Sequence, residues 1–319
     1  MTKISIISPC YNGELHLKPY IEGLLSQTFT NVEYIFVNDG SIDGTEAVIN
    51  SYADKFRSKG WTYTYIKMKN RGGQAKAINQ GLKIFTGDYL CCIDSYDVIM
   101  PTFLEEMSNF LENNPECGIV YPWAEVIDAN TGKHIEYFKR NIPEHTQDTL
   151  FDEIMLKRKR TENSILFATY MLRSSAFLSV YPNRKIYEGL SGQNGQLTLP
   201  FIYNYKVGYV KKILYKAIAR NHSDSRGLNT EELINKSYSW EDNDCNVIKV
   251  IPNMPDYEKA YYFAFKKDYW ENKRKEFRQR DKLSFFERLF SIKNQCSNGK
   301  KHKVVTILGL RVKIKVKKK

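Results

Sequence analysis

Short apolar segments alternate with amphipathic segments along roughly the first 125 residues of the chain. The apolar segments are rich in β-branched and aromatic residues, as strands are, and the segments between them space apolar residues three and four apart, as helices do. The predicted strands are Lys3–Ser8, Val32–Asp39, Trp61–Met68, Asp88–Ile93 and Gly118–Ile127, and the predicted helices are Leu15–Gln27, Ser41–Phe56, Gln74–Phe85 and Phe103–Asn113. Such alternation predicts a mostly parallel sheet with helices on both faces.

The remainder of the chain has a less regular pattern. Mixed signals extend over residues 145–230, with a helix predicted around Gln193–Tyr205. The segment Leu233–Glu287 is rich in aromatic and charged residues and predicts an amphipathic helix. Near the end of the chain, aliphatic and basic residues alternate from Arg311 to Lys317, which predicts a strand with one basic face.

The composition is that of an ordinary globular protein, with 42% hydrophobic and 26% charged residues in a chain of 319. No apolar run approaches the roughly 18 residues needed to cross a bilayer. The apolar run at the N-terminus stops at Pro9, which favours a strand over a signal peptide. The six cysteines show neither a CxxC pair nor metal-ligand spacing, so no disulfide and no zinc site are expected.

The positive charge is concentrated at the C-terminal end of the chain. Nine lysines and arginines and no acid lie between Lys300 and Lys319, and subtracting those nine from the net charge of +12 leaves +3 for the rest. A strand with one basic face suits an anionic membrane surface, although an edge strand protected by lysines is an equal alternative. Nucleic acid is not expected as a partner, because the basic run lacks interleaved aromatic residues.

Polar residues follow three of the predicted strands, in the segments SPCYNG, NDGS and DSYD. Ligands of parallel sheets bind beyond the carboxyl ends of the strands. The chain has neither a GxGxxG after the first strand nor a GxxxxGK[ST] loop, which disfavours the common dinucleotide and P-loop folds. Carboxylates at such an edge, here Asp39 and Asp94, can accept hydrogen bonds from a base or a ribose, and Asp97 can hold a divalent cation beside a diphosphate. Each acid is alternatively a solvated turn or a helix cap.

These segments resemble the inverting family 2 glycosyltransferases of bacteria, which have the GT-A fold. The resemblance covers the PCYN turn, DGSIDGT, NRGGQAKAINQG and DSYD, in that order along the chain. Further along, GQNGQLTLP resembles a narrower bacterial subgroup with the motif GQNxQxLLP.

The resemblance implies an α/β architecture, with a mixed but mostly parallel sheet flanked by helices. It implies a GT-A domain over 1–226, with a nucleotide-binding half at 1–125 and an acceptor-side half at 126–226. A helical C-terminal extension at 227–298 and a short basic β tail at 299–319 would follow. The oligomeric state stays open.

The resemblance also implies roles for individual residues. Asp39 would bind the base, Arg71 would lie beside the nucleotide, and Asp94 would hold the ribose and face a metal ion. The residues bordering the base pocket would be Pro9, Tyr11 and Asn12.

The chain departs from the family pattern at the expected metal site. Tyr96 occupies the position where the family usually has a carboxylate, and a neutral phenol is a poor ligand for Mg²⁺ or Mn²⁺. The candidate ligands are Asp94, Asp97 and Asp224. In the segment RNHSDSR, His222 and Asp224 are interchanged relative to the subgroup, so that Asp224 would restore the carboxylate that Tyr96 removes; a mobile loop without ligands is the alternative. Arg220 and Arg226 would meet the diphosphate as fixed charges.

A second departure concerns the general base. Gln193 and Asn194 stand where many family members have Glu-Asp, and an amide can orient a hydroxyl but cannot take its proton near neutral pH. Glu188 is the nearest alternative carboxylate along the chain. Gly195 replaces an aromatic residue of the subgroup and would open space in the acceptor pocket.

The sequence therefore predicts a cytoplasmic, peripheral-membrane glycosyltransferase that acts with a divalent cation, Mg²⁺ or Mn²⁺. It would move a sugar, with inversion, from a nucleoside diphosphate donor, UDP-linked, to a hydroxyl of a glycan or glycolipid acceptor in surface polysaccharide synthesis. Asp94, Asp97, Gln193 and Asn194 would act in catalysis. Tyr96, Asn194 and Gly195 motivate the alternative, a nucleotide-sugar binding subunit or regulator that has lost catalysis.

Overall fold

A computed structural model of the chain describes residues 2–142, 148–157, 163–189, 192–220, 228–297, 300–307 and 310–315, with side chains up to residue 279. The strands are β1 (Ile4–Cys10), β2 (Val32–Asn38), β3 (Thr62–Lys67), β4 (Tyr89–Cys92), β5 (Val98–Ile99), β6 (Cys117–Asp128), β7 (His134–Phe138), β8 (Met171–Arg173), β9 (Lys206–Ala219), β10 (Phe290–Ser297), β11 (Lys300–Ile307) and β12 (Leu310–Lys315). The helices are α1 (Leu17–Leu25), α2 (Thr45–Asn50), α3 (Ala53–Ser58), α4 (Gln74–Leu82), α5 (Phe103–Asn113), α6 (Leu150–Met155), α7 (Ser174–Val180), α8 (Gln193–Gln196), α9 (Leu199–Asn204), α10 (Thr230–Val250) and α11 (Asp256–Leu289).

The main sheet is mixed, with strand order β3-β2-β1-β4-β8-β6-β9-β5 and with β7 paired to β6. The strands β3, β2, β1 and β4 are parallel to one another, whereas β8 pairs antiparallel with both β4 and β6. The predicted α/β architecture, with a mostly parallel sheet flanked by helices, is confirmed.

Every residue of β1, β2 and β4 is buried, which explains why these strands are nearly continuous apolar runs. Ile4 and Ile6 of β1 belong to one apolar cluster with Tyr20 of α1. Ile7 belongs to a second cluster with Ile78 of α4. The alternation of side chains along β1 thus places an apolar core on both faces of the sheet.

Three predicted helices are broken into shorter ones. The segment Ser41–Phe56 forms α2 and α3, and Gln193–Tyr205 forms α8 and α9. The long segment Leu233–Glu287 is divided between α10 and α11 by the sequence IPNMP, in which Asn253 has a φ of 60°. Proline disfavours a helical residue before it and cannot donate a backbone hydrogen bond, so the two prolines of this sequence end one helix before the next begins.

The C-terminal residues form an antiparallel sheet in the order β10-β11-β12. The sequence predicted a strand here, but β10 begins at Phe290, inside the segment predicted as helical extension. The cause is a run with apolar residues at every second position, Phe290 and Ile292, directly after the charged end of α11. The chain divides into one compact unit of residues 1–227 and 239–266 and a second of residues 228–238 and 267–319.

A lysine is buried in the first of these units. Lys266 of α11 has no exposed surface, and its Nζ lies 3.3 Å from a carboxylate oxygen of Asp244. The Nζ of Lys157 lies 3.7 Å from the same oxygen. Burial lowers the pKa of Lys266 from 10.5 to about 8, although the charge of Asp244 opposes the shift.

This shift predicts a pH dependence of stability. Between pH 8 and 10.5 the folded lysine has lost its proton while the unfolded lysine keeps it, so Lys266 by itself should raise the free energy of unfolding with pH, by up to about 3 kcal/mol. Buried thiols such as Cys10 and Cys92, whose pKa values are raised by burial, act in the opposite direction above about pH 9. Urea unfolding at several pH values therefore measures the contribution of Lys266 as the difference between the wild-type protein and Lys266→Met, and the exposed-site variant Lys267→Met should follow the wild type. The same pH dependence in Lys266→Met and in the wild type would contradict the assignment to Lys266.

Candidate functional site

The carboxyl ends of β1, β2 and β4 lie at one edge of the sheet. Pro9 pairs with Val37 and Cys10 with Asn38, while Ile7 pairs with Cys92. The segments that follow these strands hold most of the residues predicted to bind a nucleotide. The parallel register therefore brings the PCYN turn, Asp39 and Asp94 to the same edge, as the sequence predicted.

Asp39 is buried and holds a neighbouring loop against this edge. Its Oδ1 accepts a hydrogen bond of 2.6 Å from the backbone N–H of Gly72, and its Oδ2 accepts one of 2.9 Å from that of Gly73. The backbone N–H of Asp39 donates to the carbonyl of Cys10 at 2.8 Å. Each carboxylate oxygen accepts more than one donor, so the side chain keeps capacity for a ligand N–H or O–H.

Tyr11 and Arg71 form a stacked pair beside Asp39. The guanidinium carbon of Arg71 lies 4.2 Å from the centre of the Tyr11 ring. Asn12, with a φ of 51°, is exposed, and its side-chain oxygen accepts a hydrogen bond of 3.1 Å from the N–H of Ile42. A flat aromatic ring and a guanidinium are the surfaces on which nucleic acid bases stack.

Asp94 is half-buried at the end of β4 and has a partner that the sequence did not suggest. The side-chain amide of Gln74, the first residue of α4, donates to Oδ1 of Asp94 at 2.5 Å. The only signal in the sequence was the position of Gln74 within the NRGGQAKAINQG segment. This contact ties the start of α4 to the edge of the sheet.

Asp97 points into the protein. Its Oδ2 accepts a hydrogen bond of 2.8 Å from the hydroxyl of Tyr215, and its Oδ1 accepts one of 2.9 Å from the N–H of Ile218. Burial, with a smaller contribution from the charge of Asp94, raises the pKa of Asp97 to about 7. No pattern in the sequence indicates Tyr215, because its position follows from the pairing of β5 with β9, about 120 residues apart in the chain.

Tyr96 lies between these two acids, against a cation. The guanidinium carbon of Arg220 is 3.7 Å from the centre of the Tyr96 ring. Burial and the charge of Asp94 raise the pKa of Tyr96 well above its ordinary value, and Arg220 offsets only part of this effect. The phenol is therefore neutral near physiological pH.

The described residues around this turn do not fit a divalent cation. Mg²⁺ and Mn²⁺ prefer several carboxylate or carbonyl oxygens, but both oxygens of Asp97 face protein donors and Tyr96 is a neutral phenol. Within the described parts of the chain, no three His, Cys, Asp or Glu side chains form a group able to hold a metal ion. Asp224, His222 and Arg226 lie outside the described residues, so the predicted ligand set stays a prediction.

The segment predicted to face the acceptor is fixed by the buried amide of Gln196. Its Nε2 donates to the carbonyl of Tyr187 at 3.0 Å and to the side-chain oxygen of Asn243 at 2.9 Å, and its Oε1 accepts from the N–H of Tyr187 at 2.6 Å. Gln193 is buried and Asn194 is half-buried in the same short helix, α8. A Cβ at Gly195 would meet no atom closer than 3.6 Å, so a methyl group there would make ordinary van der Waals contacts.

Glu188 is linked to α4 as Asp94 is. Asn79 of α4 donates to the carbonyl of Ile186 at 2.9 Å and to a carboxylate oxygen of Glu188 at 3.3 Å. Burial raises the pKa of Glu188, but the hydrogen bonds and charge of Lys185, with Asn79, outweigh burial and lower the pKa overall. Glu188 is thus ionised near neutral pH. Its partner Asn79 follows Gln74, the partner of Asp94, by five residues along α4.

The sequence profile of glycosyltransferase family 2 matches residues 5–180, which is more than half of the 319 residues. The chain belongs to glycosyltransferase family 2. The matched region includes the whole edge formed by β1, β2 and β4.

Among curated proteins, an uncharacterized glycosyltransferase of Rickettsia typhi is 36% identical over 149 residues, which are 46% of this chain and 43% of that protein. The minor teichoic acid biosynthesis protein GgaB of Bacillus subtilis is 36% identical over 133 residues, 41% of this chain and 14% of that protein. The chain thus matches less than half the length of either relative.

Solved structures of similar fold support the GT-A assignment. Residues 1–349 of TarS from S. aureus, in complex with UDP, superpose with a TM-score of 0.52 at 18% identity, over 98% of each chain. The mannosyltransferase PcManGT of Pyrobaculum calidifontis, in complex with GDP-Man and Mn²⁺, superposes with a TM-score of 0.52 at 14% identity, over 84% of this chain and 69% of that one. At these identities the likeness concerns the fold, and the predicted GT-A fold is confirmed.

Proposed function

We propose that this protein transfers a sugar from a UDP-linked donor to a hydroxyl of a surface polysaccharide or glycoconjugate, with inversion at the anomeric carbon. The observation that carries the proposal is the meeting of Asp39, the Tyr11–Arg71 pair and Asp94 at one sheet edge in a family 2 chain. The TarS structures contain UDP or UDP-GlcNAc, which supports a uridine donor. The name of GgaB supports an acceptor in the cell envelope.

In this proposal the nucleotide lies along the strand ends. Tyr11 and Arg71, with Pro9 and Asn12 beside them, border the base, and Asp39 accepts a hydrogen bond from its imide N–H. Asp94 accepts hydrogen bonds from the ribose hydroxyls. Asp97 contributes by position, because its two hydrogen bonds hold the turn that carries Asp94 against β9.

The transfer is a single displacement. The acceptor oxygen forms a bond to the anomeric carbon on the face opposite the diphosphate, while the bond from that carbon to the diphosphate oxygen breaks and UDP leaves. The hydroxyl proton passes to a base. Gln193 and Asn194 orient the hydroxyl without accepting its proton, and the ionised Glu188 is the nearest carboxylate along the chain for that role.

Release of UDP from a panel of donors tests this function. We expect UDP release from one or more of UDP-GlcNAc, UDP-glucose and UDP-galactose, faster in the presence of teichoic acid or other envelope glycans, and slowed at least about tenfold by Glu188→Gln. GDP-mannose serves as the mismatched donor. Absence of turnover across the panel by protein with a normal unfolding transition would count against the enzymatic proposal.

A second function is favoured by Tyr96 and Asn194, which stand where related enzymes have acids. In that case the chain binds the nucleotide sugar without turnover, as a subunit or regulator. Calorimetry would then detect UDP binding in a protein that releases no UDP from any donor. Turnover gained by Tyr96→Asp or Asn194→Asp would identify the chain as a former enzyme.

The basic C-terminal tail is proposed to bind an anionic membrane surface. None of the described helices is long and apolar enough to cross a membrane. Co-sedimentation with vesicles of anionic lipid, compared with neutral vesicles, tests the proposal. Replacing Lys300, Lys301 and Lys303 by Gln should weaken binding, since each cation near anionic lipid contributes about 1 kcal/mol, and unchanged binding would speak against the tail.

A further inference from the structure

We infer that Arg220, stacked on Tyr96, supplies the fixed positive charge that faces the donor diphosphate, so that nucleotide binding by this protein does not depend on a divalent cation. The inference rests on the proposed function and deepens it. The described residues of the DSYD turn do not fit a metal ion, because Tyr96 is a neutral phenol and both oxygens of Asp97 accept hydrogen bonds from the protein.

The fold places Arg220 at this turn through the pairing of two strands. Strand β5 pairs antiparallel with β9, with Val98 opposite Lys216. The chain before Val98 therefore runs beside the chain after Lys216, which sets Tyr96 against Arg220, the first residue after β9. The hydrogen bonds from Tyr215 and Ile218 to Asp97 fix the same register just before Arg220.

The positive charge of Arg220 influences the pKa values of side chains in the DSYD turn and at the end of β1. It lowers the pKa of Tyr96 and of Asp97, both in the turn, although burial is the larger effect in each and raises the pKa. It also lowers the pKa of the Cys10 thiol at the end of β1, where burial again is larger and opposite. Arg220, in contact with the Tyr96 ring, therefore lies near the end of β1 as well as the turn, at the edge where Asp39 and Asp94 would hold a nucleotide.

The contact with Tyr96 uses only part of the binding capacity of the guanidinium. The group has five N–H donors, and a hydrogen bond between Arg220 and Tyr96, which lowers the pKa of Tyr96, uses one of them. The remaining donors can match two phosphate oxygens. A carboxylate at position 96 would form an ion pair with Arg220 and cancel its charge. A neutral tyrosine holds the arginine in place and leaves the charge available, which explains why a phenol and a cation occur together here.

Calorimetry with UDP and uridine tests the inference. The affinity of the wild-type protein for UDP should differ by less than about twofold between buffers with EDTA and with MnCl₂. Arg220→Gln should weaken UDP binding at least about tenfold, as expected for the loss of charge-assisted hydrogen bonds, while uridine, which lacks the diphosphate, binds as before. The matched control Arg57→Gln removes an exposed arginine that pairs with Asp54 on α3, and should change neither affinity.

Two further variants distinguish the loss of a charge from the loss of folding. Tyr96→Asp should weaken UDP binding in EDTA and recover it in MnCl₂, because the new carboxylate pairs with Arg220 and offers a metal ligand. Arg220→Lys should retain part of the affinity lost in Arg220→Gln, because it keeps the charge.

Three results would overturn the inference. Wild-type UDP binding that falls more than about tenfold in EDTA would do so while leaving the proposed function standing. Equal weakening of UDP and uridine in Arg220→Gln would reduce Arg220 to a structural residue. No UDP binding in either buffer, by protein with a normal unfolding transition, would remove the proposed function and the inference together.

Discussion

Asp94→Asn is expected to lower kcat/KM for sugar transfer at least about 100-fold, with little change in the unfolding midpoint. The carboxylate lies at the end of β4 and accepts the amide N–H of Gln74. An asparagine has one acceptor oxygen in place of two and no charge, so it cannot serve both Gln74 and the two hydroxyls of a ribose. Hydrogen bonds to a charged group contribute about 1.5–3 kcal/mol each, which accounts for the expected loss.

The chain offers a matched control on the same strand. Asp88 directly precedes β4, at its opposite end, and accepts the N–H of Lys3 at 2.9 Å. Asp88→Asn should therefore leave kcat/KM within about threefold of the wild-type value. Initial rates with the active UDP-sugar and urea unfolding of both variants give the comparison. Wild-type rates in Asp94→Asn would exclude Asp94 from the site.

Gly40→Ala is expected to destabilise the protein by about 3 kcal/mol and to weaken UDP binding. Gly40 has a φ of 69°, and a Cβ there would lie 2.5 Å from the carbonyl carbon of Asn70 and 2.6 Å from the backbone nitrogen of Arg71. The loop can relieve this clash only by moving away from the sheet. Such a movement would withdraw the N–H donors of Gly72 and Gly73 from Asp39.

Gly132→Ala separates the clash from the strain of a positive φ. Gly132 has a φ of 66°, but a Cβ there would meet no atom within 4 Å. This variant should lose only about 1 kcal/mol of stability, the cost of the backbone conformation, and should bind UDP like the wild-type protein. If Gly40→Ala and Gly132→Ala lost equal amounts of stability, the close approach of Asn70 and Arg71 to Gly40 would not contribute to the cost of the substitution.

The parallel half of the fold and the nucleotide edge were predictable from the sequence because they depend on local patterns. Buried parallel strands are continuous apolar runs, and their polar ends must meet at one edge once the strands are adjacent. The sequence pattern alone therefore predicts that Asp39 and Asp94 lie at the same edge. Tyr96 is recognisable as unusual through the resemblance to family 2 glycosyltransferases, which usually have a carboxylate at this position.

The hydrogen bonds of Asp97 and the contact between Tyr96 and Arg220 were not predictable, since each joins residues far apart in the chain. The place of Asp97 in DSYD predicts a metal ligand that acts in catalysis, whereas the structure turns it toward Tyr215 and Ile218 of β9. That metal role stays a prediction. No local pattern indicates which strand will lie beside β5, and the position of Arg220 follows from the same long-range pairing.

Helix α4 sets the distance between the part of the site proposed for the donor and the part proposed for the acceptor. It holds Asp94 through Gln74 at its first residue and the Ile186–Glu188 segment through Asn79. The rise of a helix is about 1.5 Å per residue, so these two attachment points keep a separation of roughly 8 Å whatever sugar lies between them. Under the proposed function, a donor with a bulkier sugar therefore cannot lengthen this separation, because the backbone of α4 sets it.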